Sequence, residues 1–352
     1  MSTPFLPQGR PLGIGSLPHL DPAAGMALIL KTMPQSPHWP QFPKASMYEQ
    51  MEFQVTEGLP CVVVNEDDRR VFFDTSGDPI PAVEKFYEHY LEAEAGGPVE
   101  DFAMSRRSAA GLYLLEDALA GGGYAPELVK GQIIGPFSLG MSLFDETRRP
   151  ILYHDLLGDV VVKGLAMKSI WQAKKLLGMG GRAFLFVDEP VLASFGSSAM
   201  ITISREEVIS KFNEVINGVK ALDVVTGSHC CGNTDWAMLM ETEVDVVSFD
   251  AFNYMETMTL YPAALKRFFD RGGALAWGIV PNVPEVMDMD AAFLLQRLTA
   301  GVAGLTAKGL DQDMIYERMF ITPACGTGTL SLAQAEQVYS LTRQVSDSVR
   351  AR

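Results

Sequence analysis

The residues of this sequence best suited to chemistry are a histidine and two adjacent cysteines in the run HCCGN, residues 229–233. The chain has only four cysteines, and a third one, Cys325, follows the apolar run RMFITPA. One imidazole nitrogen and two thiolates form a borderline-soft ligand set that suits zinc. His229, Cys231 and Cys325 are therefore the first candidates for a metal site.

The choice among the cysteines depends on how a β-strand presents its side chains. Side chains alternate between the two faces of a strand, so His229 and Cys231 share a face and Cys230 points the other way. We expect Cys230 to be a small buried hydrophobe. Asp250 ends the next apolar run, VDVVSF, and is the candidate fourth ligand. The alternative is that the cysteines are simply buried and that Asp250 caps a helix.

The elements that must position these residues alternate in type along the chain. From about residue 130 onward, short apolar runs alternate with longer helical patterns, which is typical of βα units and a parallel sheet. Six such runs begin near residues 131, 182, 222, 244, 274 and 318, and PLGIGSLPH and FPKASMY near the N-terminus bring the predicted strands to eight. Eight strands with following helices predict an α/β fold, a (β/α)8 TIM barrel.

The predicted domain organisation is a single barrel domain over residues 1–352, with residues 50–110 as an insertion in the early barrel loops. Within this insertion, CVVVNEDDRRVFFD predicts a hairpin and EKFYEHYLEAEAGG predicts a helix. In a TIM barrel, functional residues lie at the carboxyl ends of the strands. The histidine, the cysteines and the acidic residues of VDEP all fall at such ends.

Composition excludes several classes of protein. Hydrophobic residues make up 47% of the chain, which is ample for a large core, and the net charge of −15 argues against a nucleic-acid partner. The N-terminus lacks the pattern of a signal peptide, and no apolar run reaches the thickness of a bilayer. We therefore expect a cytoplasmic protein without a membrane partner. In that reducing compartment the cysteines would not form a disulfide framework.

Six motifs carry a resemblance to a known family: GIGSLPH, VKGQIIGPFSLG, VDEPVL, HCCGN, VDVVSFD and PACGTGTL. They occur in the order, and at about the spacing, of the catalytic C-terminal domain of cobalamin-independent methionine synthase, in the uroporphyrinogen decarboxylase/methionine synthase superfamily. The run HCCGNT is also similar to the zinc-dependent corrinoid:thiol methyltransferases of that superfamily. The resemblance extends from residue 12 to about residue 335.

The resemblance implies a metal centre with zinc as the cofactor. It makes His229, Cys231 and Cys325 zinc ligands. It also places Asp250 where the family has a glutamate ligand, so the side chain here is shorter by one methylene group. Zinc lowers the pKa of a bound thiol, and the resulting thiolate is the nucleophile that attacks an activated methyl group.

The resemblance also implies a site for an amino-acid thiol such as homocysteine. Ser16 and the backbone of GIGS, including Gly15, would hold the carboxylate of this substrate. Asp188 would take its ammonium group and is the candidate catalytic residue, with Glu49 or Glu52 as a second acidic contact. For Asp188, the alternative is that VDEP is a strand-ending turn in which the aspartate caps a helix.

The implied function is methyl transfer to homocysteine, which gives methionine and would belong to methionine biosynthesis. Two departures from the family bear on the methyl donor. The chain has no room for the additional half that helps to hold folate, and the family's proton-donating histidine is absent from WGIVPN, which carries Trp277, Ile279 and Val280. We therefore expect the donor to be a methylcorrinoid presented by a partner protein.

Three other functions remain open at this level. One is a corrinoid-dependent methyltransferase that acts on a different thiol. A second is a uroporphyrinogen-decarboxylase-like enzyme, which needs no metal but needs arginines for its substrate; the family's RQAGR-type run is missing here. A third is a non-catalytic zinc or thiol sensor, because one fold hosts many functions.

Overall fold

A curled sheet of six parallel strands is the centre of the structure, a computed structural model that describes residues 5–352. Among these residues there are eight strands and thirteen α-helices. The strands are β1 (Val62–Asn65), β2 (Arg70–Phe73), β3 (Leu128–Ile134), β4 (Arg182–Asp188), β5 (Val225–Cys230), β6 (Val246–Phe249), β7 (Ala274–Val280) and β8 (Met319–Pro323). The helices are α1 (Pro22–Thr32), α2 (Met51–Gln54), α3 (Ile80–Glu94), α4 (Ala110–Ala120), α5 (Pro136–Ser142), α6 (Asp155–Leu177), α7 (Arg205–Lys220), α8 (Trp236–Glu241), α9 (Ala251–Met258), α10 (Pro262–Asp270), α11 (Ala291–Thr306), α12 (Gln312–Glu317) and α13 (Leu332–Arg350).

The six runs predicted as strands from residue 131 onward are confirmed as β3 to β8. Each strand pairs in parallel with the next one along the chain. Their near-continuous apolar character follows from burial on both faces, because helices such as α6 and α13 pack against the outside of the sheet. At the amino ends of the strands, the inside of the curl is filled by a separate apolar cluster that includes Phe184, Phe186 and Phe320.

The prediction of eight barrel strands and a closed eight-stranded barrel is wrong. Neither predicted N-terminal segment forms a strand. The space between β8 and β3 is spanned by isolated bridges that pair Pro11 with Ile321, residue 16 with 41, and 38 with 130, so the second bridged stretch, residues 38–41, precedes FPKASMY. The sequence PLGIGSLPH has two prolines, and prolines also interrupt WPQFP, so neither segment can donate a regular ladder of hydrogen bonds. The fold is therefore TIM-like, with a six-stranded half-barrel.

The predicted elements of the insertion are confirmed. β1 and β2 form an antiparallel hairpin, and α3 follows it. Lys168 connects the insertion to α6. Its buried ammonium donates hydrogen bonds to the carbonyl oxygens of Glu57 at 2.5 Å and Phe102 at 3.4 Å. Within residues 5–352, no helix combines the length and the apolar character needed to cross a membrane.

Residue 111 provides a test of how the irregular segment 38–41 is held in place. Helix α4 approaches this segment so closely that a Cβ at Gly111 would overlap the carbonyl oxygen of Pro40. We expect Gly111→Ala to lower the free energy of unfolding by about 1–3 kcal/mol through overpacking. Gly121→Ala, at the end of the same helix, meets atoms no nearer than 3.6 Å and should be neutral or stabilising. Denaturant unfolding of both variants measures this, and equal stability would contradict the close packing.

Candidate metal centre and its cavity

Three potential metal ligands meet where strands of the sheet end. His229 is on β5, Cys231 follows that strand directly, and Cys325 comes two residues after β8. One ligand atom from each of the three lies within 4.8 Å of the others. The structure thus brings together the residues that strand alternation and strand ends single out in the sequence.

The ring of His229 is held by a neighbouring strand. Its Nδ1 lies 3.0 Å from the hydroxyl oxygen of Ser248 on β6, whereas its Nε2 is buried and has no hydrogen-bond partner. A metal-binding histidine commonly has one nitrogen fixed by such a partner while the other meets the ion. Ser248 and the unpartnered Nε2 therefore fit a metal ligand better than a core histidine with both nitrogens satisfied.

The two thiols of the cluster are in contact with each other. The nearby Cys325 thiol and His229 ring lower the pKa of Cys231, while the neighbouring Cys231 raises the pKa of Cys325. Cys230 differs from both: it is fully buried in the outer core, where burial raises its pKa to about 12. The thiols of residues 231 and 325 are thus the pair available for a shared ion.

Asp250 lies outside this cluster. It is the N-cap of α9: its Oδ1 accepts a hydrogen bond of 2.9 Å from the backbone of Asn253, and its Oδ2 accepts one of 2.7 Å from the Asn253 amide. Both carboxylate oxygens are therefore engaged by the helix. The structure does not bring the fourth candidate ligand to the thiols, and it gives Asp250 the helix-capping role that the sequence left as the alternative.

A cavity of about 300 Å³ opens beside the cluster, and His229, Cys231 and Cys325 form part of its wall. The remaining wall comes from the N-terminal segments, the region around α2 and the end of β4. This volume is at the lower end of the range for small-molecule sites. The cavity therefore suits a ligand of about the size of an amino acid.

Asp188 brings an unpaired carboxylate oxygen to this cavity. It ends β4 beside His229 in the neighbouring strand, and its Oδ1 is buried without a hydrogen-bond partner. Burial raises its pKa to about 6. The capping role considered for VDEP belongs to the next residue, since Glu189 accepts hydrogen bonds from the backbone of Phe137 and Ser138 at the start of α5. Asp188 is therefore free to meet a cationic group.

Ser16 and Gly15 lie where the N-terminal segment meets the loop after β8. The Ser16 carbonyl accepts from the Thr327 backbone at 2.9 Å, and its hydroxyl oxygen accepts from the Gly328 backbone at 3.1 Å. A Cβ at Gly15 would come within 2.8 Å of the Gln41 side-chain oxygen, so the segment requires glycine there. These hydrogen bonds thus join the loop that carries Cys325 to the predicted carboxylate-binding segment.

Glu49 lines the cavity, but its carboxylate is engaged by the chain. Oε2 accepts from the backbone of Phe42 at 3.1 Å and Oε1 from the backbone of Ala110 at 2.7 Å. Burial raises its pKa to about 7. The structure therefore gives Glu49 a role in holding two loops together, and Glu52 is the other acidic side chain of this wall.

Sequence reasoning missed several polar residues of the barrel interior. Lys130 and Gln132 lie on β3, and Gln41 donates to Gln54 at 2.7 Å at the cavity wall. Lys130 and Gln132 could have been found from the sequence LVKGQII, because a charged and an amide side chain interrupt an otherwise apolar strand. Gln41 and Gln54 lie in irregular or very short elements, where no periodicity indicates which way a side chain points.

Comparison with known proteins assigns the chain to no family: no protein-family model and no curated protein matches it. The grounds for a function are the residues themselves. These are the histidine–cysteine cluster, the cavity beside it, and the motifs that supply both.

Cysteine substitutions test the assignment of the metal ligands. Cys231→Ser and Cys325→Ser should each abolish stoichiometric zinc binding, because each removes one of three converging ligands. Cys230→Ser, buried on the opposite face, should retain the metal, as should Cys61→Ser in the insertion. Metal analysis after zinc loading and desalting gives the answer. Equal zinc loss in all four variants would contradict a site built by strand alternation.

Proposed function

We propose that this chain is a zinc-dependent methyltransferase that transfers a methyl group to the thiol of homocysteine and so forms methionine. The observation that carries the proposal is the position of three zinc-type ligand atoms on the wall of a small cavity that also contains the unpaired carboxylate of Asp188. A site for a metal and a site for an ammonium group then lie next to each other. An amino-acid thiol has a group for each.

The ligand set favours a catalytic rather than a structural zinc site. Structural zinc is usually held by four protein ligands, whereas catalytic zinc has three and an open position. Among the described residues, the cluster supplies three, and Asp250 is engaged by α9. These three residues would hold the zinc, and a fourth position would remain for the sulfur of the substrate. Zinc bound here would lower the pKa of that thiol so that it reacts as a thiolate.

The residues of the chain then orient the acceptor. Asp188 binds the ammonium group, and Ser16 with the backbone at Gly15 binds the carboxylate. The substrate sulfur forms a bond to the methyl carbon while the bond from that carbon to the donor atom breaks, and the electron pair of that bond leaves with the donor. The buried walls hold the sulfur in one orientation, which lowers the entropic barrier to this displacement.

The end of β7 supports a methylcorrinoid as the donor, presented by a partner protein. Demethylating a folate amine requires a proton at the leaving nitrogen, usually from a positioned acid. Trp277 packs against Phe249 with ring centroids 5.7 Å apart, and Ile279 and Val280 are buried apolar residues. A cobalt leaving group needs no protonation. A cavity of about 300 Å³ also leaves the donor outside the acceptor site.

One assay tests the acceptor and the donor together. Zinc-loaded protein is given homocysteine with either methylcobalamin or methyltetrahydrofolate, and methionine is measured; protein with Cys325→Ser is the control. We expect methionine from methylcobalamin only, and none from the control. Turnover with the folate alone would overturn the choice of donor, and the absence of methionine with both donors would count against the methyltransferase.

Substitution of Asp188 tests the binding of the ammonium group. Asp188→Asn keeps the shape but removes the charge, and it should weaken homocysteine binding by about 1.5–3 kcal/mol, the range for a hydrogen bond to a charged group. 4-Mercaptobutanoate, which lacks the ammonium group, should bind the variant at least as well as the parent. Calorimetric titration of zinc-loaded protein measures both thiols. Unchanged affinity for homocysteine would show that Asp188 does not contact it.

A further inference from the structure

A fully buried lysine lies inside the barrel and has no role in the mechanism described so far. Lys130 is on β3, and its ammonium donates to the carbonyl oxygen of Ile14 at 2.5 Å and to the side-chain oxygen of Gln132 at 3.2 Å. It also stands 4.8 Å from the ring centroid of Phe186. An ammonium group has three protons to donate, and only two find an acceptor here.

Such a charge is expensive to bury. Among the described residues, no carboxylate forms a salt bridge with Lys130, and burial lowers its pKa to about 8 although the charge of Asp188 raises it. An unpaired buried charge usually requires compensation. The barrel interior therefore contains a cation and a carboxylate that do not neutralise each other directly.

The position of Lys130 relates this charge to the cavity. Its acceptor Ile14 lines the cavity together with Ser16, so the ammonium stands behind this wall. Asp188 lines the same cavity from β4. Around the curled sheet, the order is the segment of residues 11–16, the segment of residues 38–41, β3 and then β4. Lys130 thus contacts the wall of Ile14 and Ser16 through the Ile14 carbonyl, and Asp188 belongs to the wall that β4 supplies.

We propose that Lys130 is a positioning residue that selects thiols with a carboxylate. It fixes the Ile14–Ser16 wall through the Ile14 carbonyl and makes that wall electropositive, so an acceptor aligns its carboxylate with Ser16 and its ammonium with Asp188. Charges act strongly over several ångströms in such a buried site because little water screens them. This inference rests on the proposed function, since it assumes that an amino-acid thiol enters the cavity.

The chain offers a matched control in Lys168. It is also fully buried, its pKa is also lowered to about 8 by burial, and it also donates to a backbone carbonyl at 2.5 Å. It lies on α6 outside the sheet, where it holds the insertion and lines no part of the cavity. The two lysines therefore share the energetic cost of burial and differ in their relation to the site.

The experiment compares two thiols on zinc-loaded protein. Homocysteine is titrated beside 3-aminopropanethiol, which is the same molecule without its carboxylate. Lys130→Met should weaken homocysteine binding about tenfold or more, equivalent to about 1.4 kcal/mol, and should change the binding of 3-aminopropanethiol little. Lys168→Met should lower Tm but preserve the preference for homocysteine. Lys130→Gln, which retains a donor for the Ile14 carbonyl, should behave as Lys130→Met does and replaces it if that variant does not fold.

The outcomes separate this inference from the proposed function. Equal effects of the Lys130 substitutions on both thiols, or no effect on either, would overturn the role of Lys130. A parent protein that binds the two thiols equally well would overturn it too, while the proposed thiol site would stand. A parent protein that binds neither thiol would remove the proposed function and this inference together.

Discussion

The pairing of β4 with β5 is the constraint on which the candidate site depends. In this register Asp188 stands beside His229, so a free carboxylate and a potential metal ligand face the same cavity. A slip of one residue in either strand would turn the side chain of that strand to the opposite face and separate the pair. The register is held by packing, because Leu185 and Val187 belong to the outer core while Phe186 fills the inside of the curl. The chemistry at the strand ends is thus positioned by apolar residues that take no part in it.

The irregular N-terminal segments contribute to the site because they are not strands. Their backbone makes isolated bridges to β8 and β3 and is otherwise held by side chains and loops. Ser16 is joined to Thr327 and Gly328, and Glu49 holds residue 42 to the start of α4. A regular ladder would have engaged these backbone groups within the sheet. An irregular wall leaves space for a cavity next to the histidine–cysteine cluster.

Much of this arrangement could be predicted from the sequence, and the exceptions have physical reasons. The strands from residue 128 onward are visible as apolar runs because they are buried on both faces, and their ends identify His229, Cys231 and Cys325. The segments PLGIGSLPH and FPKASMY were wrongly predicted as strands, because the way in which glycine and proline break hydrogen-bond ladders depends on their neighbours. The carboxylates of Glu49 and Asp250 could not be assigned, because residues distant in sequence or in the next turn decide what they bind.

Unpaired buried polar atoms distinguish this site only when their location is considered. Hydroxyl groups of Ser228 and Thr322 are also buried without partners and do not line this cavity, so a missing hydrogen bond by itself does not mark a binding site. Asp188 and His229 are different, because their unpaired atoms are a carboxylate oxygen and an imidazole nitrogen on one shared wall. Leaving a buried polar group unsatisfied costs about 1–3 kcal/mol, more when it is charged. A cation at Asp188 and a metal at His229 would each remove that cost. The unpaired atoms of Asp188 and His229 are therefore the ones from which a ligand would draw its affinity.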